Sequence, residues 1–165
     1  MQRVSQSLRG TAGFSLIELL IVVTIILILA AIAIPKLIAV KMVANEAAAV
    51  SNIRTIDSAE AAYSSQYPAI GFSASLTVLG GIGVTATSAA ALLLDSTLAQ
   101  ATPAKSGYTY TYVAGAGAPR GAFTLNGDAR MQNITGVRHF FTDATGIIRY
   151  KVGGPATANS TSLGQ

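Results

Sequence analysis

Residues 14–34 read FSLIELLIVVTIILILAAIAI. One side chain in this block is strongly polar, Glu18; Ser15 and Thr24 can return a hydrogen bond to a helix carbonyl. A membrane-crossing helix needs about 20 apolar residues, so the length fits a span. The segment before it, MQRVSQSLRGTAG, carries Arg3 and Arg9 and no acid. Basic residues ahead of a first span hold that end in the cytoplasm, which places the chain after Ile34 outside it. Three readings of the block are open. It is a secretory signal with Ala31-Ile32-Ala33 as the A-x-A cleavage site, a plain anchor, or a segment retained after cleavage in front of it. Glu18 discriminates among them. A carboxylate within a span costs roughly 2.5–3.5 kcal/mol on insertion scales, which neither a disposable signal nor a plain anchor has reason to carry. No Lys, Arg or His lies in the block to neutralise it. An amine created by cleavage at the first residue of the block would.

Gly13-Phe14-Ser15-Leu16-Ile17-Glu18-Leu19-Leu20 resembles the processing motif of type IV pilins and type II secretion pseudopilins. The resemblance implies that a prepilin peptidase cuts between Gly13 and Phe14 and methylates the new amine. It also implies that Glu18 is the carboxylate used in assembly and that Pro35 kinks the helix just past the apolar stretch. The fold it implies is α+β: a long N-terminal helix packed on a small antiparallel sheet of three or four strands. The implied function is that of a structural, non-enzymatic subunit of a helical filament. Its implied partners are the peptidase, an inner-membrane assembly platform, the bilayer before assembly and further copies of itself. A bacterial inner-membrane precursor, cytoplasmic at its N-terminus, would end in an extracellular pilus. A pseudopilin or a minor pilin is the nearest alternative; a periplasmic binding protein or enzyme released after Ala33 is a distant one.

The rest of the chain is consistent with that layout. Its 165 residues allow about one domain. They are 51% hydrophobic and only 11% charged, with net charge +4. After Pro35, Val43, Ala47, Val50, Ile53, Ile56, Ala59 and Tyr63 recur every three or four residues, one face of an amphipathic helix. The helix is expected from about Phe14 to Ser65, ended by Tyr67-Pro68-Ala69-Ile70-Gly71. One helical turn is expected at Ser75–Leu79 and a short helix over residues 88–100. Strands are expected where Tyr108, Tyr110 and Tyr112 alternate with Thr109, Thr111 and Val113, and over 122–126, 137–142 and 147–152, the last two joined by an Asp143-Ala144-Thr145-Gly146 turn. The expected division is a leader, 1–13; a membrane and filament-core helix, 14–35; its amphipathic continuation, 36–66; a head, 67–152; and a polar, low-complexity mobile tail, 153–165.

Few residues invite other chemistry. There is no Cys, hence no disulfide, thiolate metal site or thiol nucleophile. That departs from pilins that close a C-terminal loop with a disulfide. His139, the single histidine, could nominally join Asp143 and a serine, but no G-x-S-x-G elbow exists and a sheet or surface role fits better. Gly81-Ile82-Gly83 lacks the strand–helix setting of a dinucleotide loop. Glu46, Asp57 and Glu60 read as solvated helix charges rather than catalytic pairs. Past residue 130 only Asp143 is acidic, too few for a calcium site of six to eight oxygens; this favours a pilus subunit over a secretion pseudopilin. The tyrosine row reads as core or interface rather than an electron relay. Arg120, Arg130, Arg138, Arg149 and Lys151 read as solvated charges, and nucleic-acid contact in a filament has no further support. Asn133-Ile134-Thr135 and Asn159-Ser160-Thr161 match a glycosylation triplet that is common by chance. No cofactor or metal is expected.

Overall fold

The computed structural model describes residues 13–81 and 83–164. Arg3, Arg9 and most of the leader, together with Ile82, lie outside the described residues. Helix α1 runs Leu16–Gln66, with Pro35 inside it. A single turn, α2, spans Leu76–Leu79. Six strands follow: β1 Ala104–Lys105, β2 Tyr108–Ala114, β3 Phe123–Ala129, β4 Arg138–Asp143, β5 Arg149–Val152 and β6 Thr161–Ser162. They form one antiparallel sheet in sequence order. The architecture is therefore α+β and pilin-like, with two short edge strands added to the four expected.

The chain divides at Leu37 and Ile38 into two units. In the first, every residue of α1 is exposed except the partly covered Ala30. In the second, α1 lays Ala49, Ile53, Ile56, Ala59 and Tyr63 on the sheet, where they join Tyr108, Tyr110, Phe123, Leu125 and Phe140 in one core. The stripe anticipated from the spacing is correct from Ile53 onward. Val43 and Ala47 at its beginning stay exposed. Helix and sheet approach closely at Gly127: a Cβ there would stand 3.2 Å from Ile53 Cδ1. Tyr108 and Tyr110 point into the core, as the alternation of β2 requires.

The two edge strands have local causes. Ser106 and Gly107 both take left-handed backbone, φ 53° and 76°, between the paired residues Lys105 and Tyr108. That is the two-residue turn whose twist matches a hairpin, and it recruits Ala104–Lys105 from what reads as a loop. At the other end, residues 153–164 are docked rather than a loose tail. Thr161 and Ser162 pair with β5, and Asn126 Nδ2 donates to Ala156 O at 2.9 Å. Asn126 is the register partner of Phe141, so this bond draws buried Ala156 over the sheet face opposite α1 and closes Phe141 off from water.

Residues 88–100 are not a helix. Their N–H groups are taken by neighbours: Ala91 N donates to Val78 O, Leu93 N to Leu79 O and Leu94 N also to Leu79 O. Leu92 is left-handed, φ 57°. Asp95 Oδ1 accepts from Thr97 N and Leu98 N, a side-chain turn that competes with the helix ladder. Burying Ala91, Leu94 and Leu98 beside α2 outweighs the helical propensity of the run.

The helix carboxylates also depart from expectation. Glu46 and Glu60 are buried and Asp57 is largely so. Glu46 accepts from Val137 N, Arg138 N and Arg138 Nε at 2.8, 3.1 and 2.7 Å. Burial works against its charge, but these donors prevail and hold its carboxyl below the usual range. Arg138 is thus an ion-pair partner, stacked against Phe140 and Tyr150, and not a solvated charge. Glu60 accepts from Ser73 N and Ser73 Oγ, closing the loop after α1 onto the helix. Asp57 Oδ2 accepts from Thr142 Oγ1 at 3.2 Å, whereas its Oδ1 is buried without a partner. A helical period alone puts these residues at the border of the apolar stripe; the loop and sheet donors that capture them come from 13 to 92 residues away.

Burial, with Asp143 and Glu60 nearby, raises the Asp57 pKa from the ordinary 3.8 to about 6. The folded state therefore binds this proton more tightly than the unfolded chain does. Stability from this group is full below about pH 4 and falls as pH rises through 6. Asp57→Asn is expected to flatten that part of the profile and to gain about 1–2 kcal/mol over wild type at pH 7.5, after allowing for partial solvent screening, in thermal unfolding across pH 4–8. Ile53→Ala is expected to cost about 2–5 kcal/mol in the same measurement, because it empties a fully buried position packed over Gly127.

Candidate functional site

The first residues of α1 form the candidate site. Gly13, Phe14 and Ser15 precede the helix, and Leu16 opens it. Ser15 stands at the N-cap: its carbonyl accepts from Leu19 N at 3.2 Å. Glu18, three residues on, turns back so that Oε2 accepts from Ser15 N at 3.0 Å. This is one half of the capping box that S-x-x-E can form. It also brings a carboxylate to the positive end of the helix dipole. Glu18 thus has a local partner before any amine is created beside it. The serine-to-glutamate spacing was available in the sequence as a signal for the helix start, within a run that otherwise reads only as apolar.

Around this contact the chain is open. A Cβ on Gly13 would meet nothing within 4 Å, and Phe14 is 77% exposed. The peptide between them is non-helical and unshielded among the described residues, the form in which a protease can accept a backbone. Downstream, Leu16, Ile17, Leu19, Leu20 and the large apolar side chains as far as Ile38 are exposed. Thr24 Oγ1 donates to Leu20 O at 2.8 Å, which spares the apolar surface an unpaired hydroxyl. By length and composition the helix is long and apolar enough to cross a membrane. Pro35 lies well inside α1, seventeen residues beyond Glu18, and has no N–H to donate.

The other candidates do not converge on a reaction centre. His139 Nδ1 lies 2.8 Å from Asp128 Oδ1 and its Nε2 lies 2.8 Å from Gln132 Oε1. Both ring nitrogens face acceptors, and neither faces a hydroxyl. Asp143, the nominal third member of a triad, is at the opposite end of β4 and caps its own turn by accepting from Thr145 N. The histidine clips the loop after β3 to the sheet. Among the described residues no three His, Cys, Asp or Glu side chains gather as a metal site would require. Tyr108 and Tyr110 are core residues with local hydrogen bonds, Tyr108 Oη to Arg138 O and Asn52 Nδ2 to Tyr110 Oη. Burial raises the pKa of both phenols.

Residues 8–34 match a family model described as the prokaryotic N-terminal methylation motif. No curated protein and no solved structure matches the chain. The matched stretch contains Gly13, Phe14 and Glu18 and ends just before Pro35. The chain thus carries the N-terminal methylation motif that is the hallmark of type IV pilin and pseudopilin precursors.

Proposed function

We propose that the protein is a structural subunit of a type IV pilus, cut between Gly13 and Phe14 and polymerised through the first part of α1. The observation that carries this reading is a carboxylate kept at the start of an otherwise apolar, unburied helix within a methylation motif. In the bilayer, lipid covers the apolar side chains. In a filament, the same side chains of neighbouring copies cover one another. Ala30, Ala31 and Ala33 allow close approach, and dispersion and apolar burial hold the bundle. Pro35 would bend or locally open the helix where the apolar block ends.

Cleavage removes Arg3 and Arg9 and creates an amine on Phe14, one residue before the N–H that Glu18 already holds. The carboxylate can then add that amine, from its own chain or from an adjacent copy, so that neither charge stays unpaired in an apolar bundle. Such a pair adds little net stability. Its use is to set the axial register of each incoming subunit. The precursor would sit with its N-terminus in the cytoplasm and its head outside, served by a prepilin peptidase and an assembly platform. A secretion pseudopilin shares every one of these steps; the scarcity of acids after residue 130 favours the pilus.

Gly13→Glu is expected to leave full-length precursor in the membrane, seen as an uncut band on immunoblots. Glu18→Ala is expected to mature normally yet yield few or no filaments by electron microscopy. Normal assembly of Glu18→Ala would remove the register role, and normal maturation of Gly13→Glu would remove the assigned cleavage site.

A further inference from the structure

The head has two unlike ends. Glu46 meets Arg138 at the first residue of β4, and Asp57 meets Thr142 near its last. Eleven helical residues cover ~16 Å and four strand residues cover ~13 Å, so α1 runs alongside β4 from one end to the other. The loop Met131–Gly136 precedes Arg138 and is held to the helix by Asn45 Nδ2 donating to Thr135 O at 3.0 Å. It therefore belongs to the Glu46 end. The turn after β4, with Asp143, belongs to the Asp57 end.

The loop is held by hydrogen bonds of its own. Asn133 N donates to Gly136 O, Thr135 N to Met131 O and Met131 N to Thr135 Oγ1. Gln132 is held on both sides, its Nε2 by Val137 O and its Oε1 by His139 Nε2. Its outward face carries two large apolar side chains, Met131 at 53% and Ile134 at 54% exposure, beside the exposed amides Gln132 and Asn133. Exposed Arg130 stands at its base, and exposed Lys41 lies one helical turn before Asn45. A preordered loop that shows two apolar side chains beside cations loses little freedom on binding.

The other end is its complement. A cleft of about 350 Å³ opens between α1 and the β4–β5 turn, lined by Asp57, Ala61, Phe72, Phe123, Asp143 and Gly146 among others. Phe72 and Phe123 pack edge to face at 5.0 Å and give it an apolar wall. Among the described residues neither Asp57 nor Asp143 is within ion-pair distance of a Lys or Arg. Asp57 Oδ1 has no partner, and its neighbours in charge are the acids Asp143 and Glu60.

We propose that the 130–136 loop of one copy seats in the Asp57–Asp143 cleft of the next, with Met131 and Ile134 against Phe72 and Phe123 and Arg130 facing the two carboxylates. Loop and cleft lie at opposite ends of β4, so a copy cannot fill its own cleft. The contact is heterologous, so repetition builds a ring or an open helical array rather than a two-fold pair, and the filament reading selects the array. This assignment rests on the filament reading above and adds to it the head surface that successive subunits share.

The chain has no cysteine, which makes cross-linking direct. Full-length Ile134→Cys/Ala144→Cys is assembled and oxidised beside each single variant. A ladder of disulfide-linked multimers, about tenfold above either single variant, is expected; Arg130→Glu should lower filament yield by about tenfold, and Arg130→Glu/Asp143→Arg should restore most of it. Unchanged thermal unfolding of Arg130→Glu separates lost assembly from a lost fold. Wild-type filaments with no ladder in the double variant, or with Arg130→Glu assembling as wild type, overturn the contact. Lost assembly without a ladder assigns the loop to another partner and overturns it equally. Absence of wild-type filaments overturns the pilus reading itself.

Discussion

Among the described residues the first part of α1 buries none of its large apolar side chains: from Phe14 to Ile38 they are exposed, while the later turns of the helix pack with the sheet in a separate core. Such a surface is tolerated only in lipid or against other apolar helices. The second part of the same helix is an ordinary amphipathic element, and its buried stripe begins at Glu46. One continuous element therefore serves two environments. The methylation motif over residues 8–34 fits a membrane-anchored precursor that is later assembled.

Carboxylates mark the places where α1 changes role. Glu18 caps the first turn through Ser15 N. Glu46, in contact with the Arg138 side chain and with the N–H groups of Val137 and Arg138 at the start of β4, is where the sheet takes hold. Asp57 and Glu60 tie the last turns to Thr142 and Ser73. Glu46, Asp57 and Glu60 replace water by donors from outside the helix, so they fix its position where apolar packing alone would allow sliding. Their cost is uneven. Glu46 is fully compensated, while Asp57 keeps an unpaired oxygen among like charges.

Much of this was legible in the residues. The apolar block, the strand alternation around Tyr108–Tyr112 and the Asp143–Gly146 turn are local patterns, and these survive into the structure. What escaped depends on distant partners. The 88–100 segment reads as helix until α2 carbonyls claim its N–H groups. Glu46, Asp57 and Glu60 read as solvated until β4, the residue before it and the Ser73 loop supply donors. The tail reads as loose until Asn126 and β5 hold it. The Ser15–Glu18 cap is different: its spacing was visible, and the stronger apolar signal around it concealed it.

Cutting between Gly13 and Phe14 would leave Glu18 four residues from the new terminus, close enough to meet it. Mass spectrometry of the N-terminal fragment of the mature chain decides whether the cut is made there. A first residue of Phe14 carrying one methyl group on its amine is expected; a mature chain that begins at Ile34, or still at Met1, refutes it.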